Sequence, residues 1–151
     1  MKRKIRYIGL ILAVLFMITG CTTAKAYTFD VETGDMIRVE LNTTGGYDLS
    51  SEVPFTISRG DETISQGTFL TLDGYNYYIA AIESDSKAEK IESDTKGDIS
   101  YTFYVYHESD DSKQYNYVIK VNGSDTGLLI ANYISEESAR DCFERLIISQ
   151  D

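Results

Sequence analysis

The chain has no tryptophan, one proline and one histidine in its 151 residues. A single histidine cannot build a multi-histidine zinc site, and there is no Cys-x-x-Cys pair to replace one. A hydrolase of the serine-elbow type needs Gly-x-Ser-x-Gly, and that motif is missing as well. Cysteine is scarce: Cys21 and Cys142 are the only two, so this is no disulfide scaffold. The longest apolar run, Ile8–Ile18, falls short of the ~20 residues a permanent membrane helix needs.

Basic residues are few after the first twenty positions. Lys2, Arg3, Lys4 and Arg6 account for four of the fourteen, with no acidic residue among them. The ten that remain face twenty-four acidic residues, so the chain after Gly20 carries a net charge of −14. Such a surface is repelled by phosphate backbones and anionic headgroups, which argues against nucleic acid as a partner. An acidic surface also keeps an exported domain soluble.

The basic cluster and the apolar run form a secretory leader. Where a cleavage site belongs, the chain reads Ile18-Thr19-Gly20-Cys21. This resembles the lipobox of bacterial lipoproteins, which runs aliphatic, small, Gly or Ala, Cys. The resemblance implies a diacylglycerol on the Cys21 sulfur and cleavage before Cys21 by a lipoprotein signal peptidase. Residues 1–20 are then a lipoprotein signal peptide, 21–26 the lipidated cysteine with a short tether, and 27–151 a single domain. The implied address is the extracytoplasmic face of a bacterial cell membrane, held through the N-terminal lipid.

What is plentiful is tyrosine, twelve against six phenylalanines, in a chain that is 42% hydrophobic. That composition suits a folded, strand-rich domain. Tyr27–Val31 and Met36–Leu41 alternate apolar and polar residues across a turn, as a hairpin does. Asn42–Gly46 reads as a plain loop, since no Gly-Lys-Ser/Thr follows its Gly-Gly. Pro54 opens a strand at Phe55–Ser58, and Arg59-Gly60-Asp61 is a hairpin turn leading into Glu62–Leu70.

Thr71 is placed to cap a helix over Leu72–Glu83, whose Leu72, Tyr75, Ile79 and Ile82 share a face with Tyr78 beside them. Ser84–Asp98 reads as a charged, solvated loop holding at most a short edge strand at Ala88–Glu92. Its acidic residues do not follow the order of an EF-hand loop. Ile99–His107, Gln114–Val121 and Gly127–Asn132 read as a meander. Ser135 caps a second helix with Ala139, Cys142, Phe143, Leu146 and Ile147 in one stripe, which turns Cys142 to the core.

These elements predict an α+β domain: a single antiparallel sheet of about six to eight strands packed with two helices, as α/β/α or two layers. The tail Gly127–Ser149, GLLIANYISEESARDCFERLIIS, resembles the C-terminal unit of the PsbP-like fold, an antiparallel sheet between helices. The likeness extends over roughly residues 99–149. It implies an accessory or binding role, as in small secreted and lipid-anchored proteins, and assigns no site residue.

No catalytic, metal or cofactor set emerges. His107 reads as a strand-end surface residue beside Glu108, Asp110 and Asp111. The candidate binding surface is tyrosine: Tyr104 and Tyr106 on one sheet face, and Tyr75, Tyr77 and Tyr78 on the first helix. Such side chains offer amphipathic contact area for a glycan or an envelope protein. The expected function is a non-enzymatic envelope lipoprotein. The alternatives are an envelope hydrolase using carboxylates or His107, and a small solute-binding lipoprotein.

Overall fold

The computed structural model describes residues 23–151. Residues 1–22, which include the expected leader at 1–20 and Cys21, lie outside the described residues. Ten strands and two helices run in the order β1 (Ala24–Asp30), β2 (Met36–Asn42), β3 (Tyr47–Leu49), β4 (Phe55–Arg59), β5 (Glu62–Thr71), α1 (Leu72–Ser84), β6 (Ala88–Lys96), β7 (Ile99–His107), β8 (Lys113–Val121), β9 (Thr126–Asn132), α2 (Glu136–Glu144) and β10 (Leu146–Gln150). Among the described residues no helix is long and apolar enough to cross a membrane.

The chain is α+β, with a seven-stranded antiparallel sheet in the order β3-β4-β5-β9-β8-β7-β6. A three-stranded sheet, β1-β2-β10, adds to the single sheet expected. Its third strand is the C-terminal segment, which pairs from Leu146↔Leu41 to Gln150↔Ile37. No local pattern signals a partner more than a hundred residues away.

The two helices cover opposite faces of the large sheet. Ile82 of α1 packs with Tyr104 and Val118, flanked by Tyr75, Tyr78, Ile79 and Leu129. On the other face α2 and the small sheet close the main core, where Phe29, Phe55, Phe103, Tyr117 and Phe143 meet the aliphatic residues. Phe143 stacks on Tyr117 at 3.9 Å, nearly parallel. Burying one such side chain contributes roughly 1.5–3 kcal/mol. α2 buries Ala139, Cys142 and Phe143, whereas α1 fully buries only Ile82. The less deeply held helix is the one better able to shift locally.

Both helix starts follow the sequence. Thr71 Oγ1 accepts from the Gly74 amide at 3.2 Å, and Ser135 Oγ from the Ser138 amide at 3.0 Å. Buried Asn132 locks the second start: its Nδ2 donates to Ser65 and Ser138, and its Oδ1 accepts from the Ile134 and Ser135 amides. Asp35 joins the two sheets by accepting from the Thr126 hydroxyl, the Asp125 amide and Gln150 Nε2.

Three expectations change, and one strand lay outside them. The charged stretch after α1 is not a loop: β6 runs nine residues and pairs with β7 along its length. A bulge at Ile91 tucks that residue against the main core. The neighbouring charges find partners on α2. Glu92 meets Arg140 at 3.1 Å, and Lys96 Nζ donates to the Phe143 and Glu144 carbonyls at 2.7 and 3.1 Å. A charged edge strand also resists pairing with other chains.

The stripe on the second helix breaks at Glu144, where Lys96 occupies the terminal carbonyls. Leu146 and Ile148 are buried as alternate residues of β10, and Ile147 is exposed. Ala24, Lys25 and Ala26, read above as part of a tether, pair with β2. Lys25 also reaches Asp48 at 2.7 Å. Finally, Tyr47–Leu49 is a strand too short to show a period, with Tyr47 and Leu49 buried.

Candidate functional site

Four of the five tyrosines singled out above meet in one cleft. Tyr77 and Tyr78 of α1 and Tyr104 and Tyr106 of β7 line a space of about 330 Å³, with Ala81, Ile82, Asp85, Ala88 and Gln114. The local rules explain the assembly. On α1 the cleft residues recur at one-turn intervals, so they share a face. On β7 the period of two sends Tyr104 and Tyr106 to the α1 side. Ala88, Tyr106 and Gln114 form one cross-strand row over β6, β7 and β8. The small side chains Ala81 and Ala88 leave the gap that larger ones would fill.

Tyr75 goes elsewhere. It packs over Gly127 of β9, where an added Cβ would lie 3.1 Å from Tyr75 Cβ and 3.0 Å from the Ile119 carbonyl oxygen. The missing side chain at Gly127 lets α1 approach the sheet, so Tyr75 supports the helix from below. Burial holds its phenol above the ordinary range.

Within the cleft Tyr77 is 71% exposed and Tyr104 only 6%, so the site grades from an open rim to a closed floor. The rings of Tyr77 and Tyr78 stand at 80° to each other. Gln114 donates its amide nitrogen to the Tyr133 hydroxyl, which fixes its orientation. Asp85 caps the helix end through its backbone amide, and its carboxylate accepts from the Lys87 amide at 2.9 Å. Asn116 lies across from Tyr104 on β8 and is buried. Its Oδ1 is the buried side-chain atom without a hydrogen-bond partner among the described residues.

Burial, then the nearby Tyr78 and Tyr106 hydroxyls, holds the Tyr104 phenol far above its usual range. Tyr117 is raised in the same direction, chiefly by burial, with Arg140 opposing and Glu92 adding to it. Below the ordinary tyrosine pKa of about 10, folded and unfolded chains both keep these protons. Above it the unfolded chain releases protons that the folded chain retains, so stability falls as pH rises. An alkaline titration followed by tyrosinate absorbance is therefore expected to leave Tyr104 and Tyr117 silent until the chain unfolds. Tyr104→Phe and Tyr117→Phe identify the missing amplitude.

The residues considered for other chemistry stay apart from this cleft. His107 Nε2 sits 3.4 Å from Glu89 Oε2, both on the surface. Cys142 is a free, buried thiol whose pKa is raised by burial. Arg59 of the Arg-Gly-Asp turn lies over the Tyr47 ring. A second cleft, about 310 Å³, includes Tyr47, Arg59, Glu62, Ser135 and Asp141. Its key carboxylate is engaged: Asp141 accepts from the Tyr47 hydroxyl and from Arg145 Nε. The Tyr47 bond leads in holding Asp141 below the usual carboxylate range. No group of three or more histidine, cysteine or acidic side chains is arranged to hold a metal among the described residues.

Sequence reasoning missed Asp85, Gln114, Ala81 and Ala88 as cleft residues. Asp85 was readable as a helix end. Ala81 lies one helical turn from Tyr77 and from Asp85, and Gln114 and Ala88 become cleft residues only through strand register. No family model matches the chain, and no curated protein matches it significantly.

Proposed function

We propose that the chain is a cell-envelope lipoprotein that binds a ligand or partner rather than catalysing a reaction. It is anchored through Cys21 at the extracytoplasmic face, and the tyrosine cleft is its binding site. The observation that carries this reading is the convergence of Tyr77, Tyr78, Tyr104 and Tyr106 on one open cleft. Tyrosine supplies large contact area with few rotatable bonds, the composition of recognition surfaces. Among the lining residues Asp85 is the sole carboxylate. One carboxylate lacks the second carboxylate of a glycosidase pair, and the Tyr104 phenol, held far above its usual range, is a poor base at neutral pH. An envelope protein and a glycan are the partner classes this surface suits.

The test is a cross-linking capture from the protein's own membranes, with the wild-type chain beside Tyr77→Ala and Tyr106→Ala. Tyr77 is exposed and Tyr106 half-buried against the small core, so matching circular dichroism and melting curves check that each variant keeps the fold. Loss of an anchoring aromatic is expected to cut recovery of the specific partner by about tenfold. Equal recovery by all three chains contradicts the cleft as the site.

A further inference from the structure

The electrostatics of the cleft are one-sided. No lysine, arginine or histidine lines it. Four tyrosine rings do, and the face of an aromatic ring carries the negative part of its quadrupole. The C-terminal end of α1 arrives at the same place through Ala81, Ile82 and Asp85. The unpaired carbonyls of a helix end amount to about half a negative charge, and no basic residue sits in the last turn to offset them. The Asp85 carboxylate adds a full negative charge at the rim. Below, Asn116 Oδ1 is an unpaired carbonyl dipole beside Tyr104.

Three lysines lie near the cleft without lining it: Lys90, across from Tyr104 on β6, lines the adjoining hollow beside Glu83. Lys87 Nζ turns to Ser109 Oγ at 3.1 Å. Lys113 precedes Gln114 on β8 and so projects from the opposite side of the sheet. Protonated phenols and one carboxylate are a poor donor set for a hard metal ion, which prefers several charged oxygens. Tyrosine rings with a single carboxylate suit a large, weakly hydrated cation. The volume lies at the small end of ligand sites, about 300–1,000 Å³, which fits a compact headgroup.

We propose that the cleft binds a quaternary ammonium group, set among Tyr77, Tyr78, Tyr104 and Tyr106 with Asp85 at its rim. This rests on the cleft being the binding site, and adds the chemical class of what enters it. The group arrives either as a free solute or as a lipid headgroup.

The test is calorimetric titration of the full chain in maltoside micelles. The probes are choline, glycerophosphocholine and 3,3-dimethylbutan-1-ol, the uncharged carbon counterpart of choline. Choline is expected to bind about tenfold more tightly than the alcohol, the size of a partly desolvated cation–π site. Asp85→Asn keeps the shape and the Lys87 contact. It is expected to weaken choline several-fold and leave the alcohol unchanged. Tighter binding of glycerophosphocholine than of choline identifies a lipid headgroup, and weaker binding a free solute; both support the proposal. Equal affinity for choline and the alcohol overturns the cation, and leaves the cleft standing as a site. No binding of either cation also overturns it, and the capture experiment with Tyr77→Ala then decides separately whether the cleft binds anything.

Discussion

Cys21→Ser is expected to abolish lipid labelling of the protein and to leave the leader uncleaved. In the proposed processing the thiol is the only atom that accepts the diacylglycerol, and serine offers a hydroxyl in its place. Two acyl chains give stable anchoring because each buried methylene contributes about 0.8 kcal/mol. The effect is therefore all or none. Metabolic labelling with a tagged palmitate, read beside the intact mass of the chain, checks it. Wild type incorporates label and begins at Cys21, whereas the variant does neither. A labelled Cys21→Ser chain, or wild type that keeps residues 1–20, contradicts the lipoprotein reading.

The anchor bears on how the domain sits. β1 is paired from Ala24, and the Thr23 carbonyl accepts from the Thr43 amide at 2.8 Å. A lipidated Cys21 lies two residues before that fixed point, a reach of at most about 7 Å. Under the proposed anchoring the domain rests against the membrane instead of roaming on a linker.

Gly67→Ala is expected to destabilise the fold by about 3 kcal/mol, the upper end for overpacking a core. Gly67 pairs with Phe55 across β5 and β4, and the phenyl ring lies directly over it. An added Cβ would fall 2.1, 2.4 and 2.6 Å from three Phe55 ring atoms. The ring has nowhere to go: Phe55 is fully buried, with Phe29 and Phe69 each 5.8 Å away. Phe55→Leu removes the clash at its own cost, so Gly67→Ala in that background is expected to cost under about 1 kcal/mol. Urea denaturation of the four chains measures the coupling. A wild-type midpoint for Gly67→Ala contradicts the packing described.

Wherever a local rule governed, the fold was legible. Thr71 and Ser135 cap as their side chains demand. Alternation along β7 placed Tyr104 and Tyr106 on one face, and the helical period placed Tyr78 beside the buried face of α1. What escaped depends on distant partners. Ser84–Asp98 looked like a loop because its charges looked solvated, yet Glu92 and Lys96 are held by Arg140 and by the end of α2. Leu146 fits a helical stripe and a strand equally, and pairing with β2 decides between them. Tyr75 shares the helical face of Tyr78, and only the absence of a side chain at Gly127 explains why it sinks toward the sheet. Gln114 and Ala88 enter the site through register with Tyr106, which strand patterns alone do not specify.

The measurement that bears most directly on the central claim is methyl NMR of the full chain in maltoside micelles. Ala81, Ile82 and Ala88 place three reporter methyl residues in the cleft wall. Ala139 and Ile148 report on the main core, on the other side of the sheet. Titration with choline, envelope glycans and captured partner is expected to shift the three cleft reporters while the core pair stays still. A ligand that moves other surface methyls and leaves Ala81, Ile82 and Ala88 unshifted would place binding elsewhere and contradict the account.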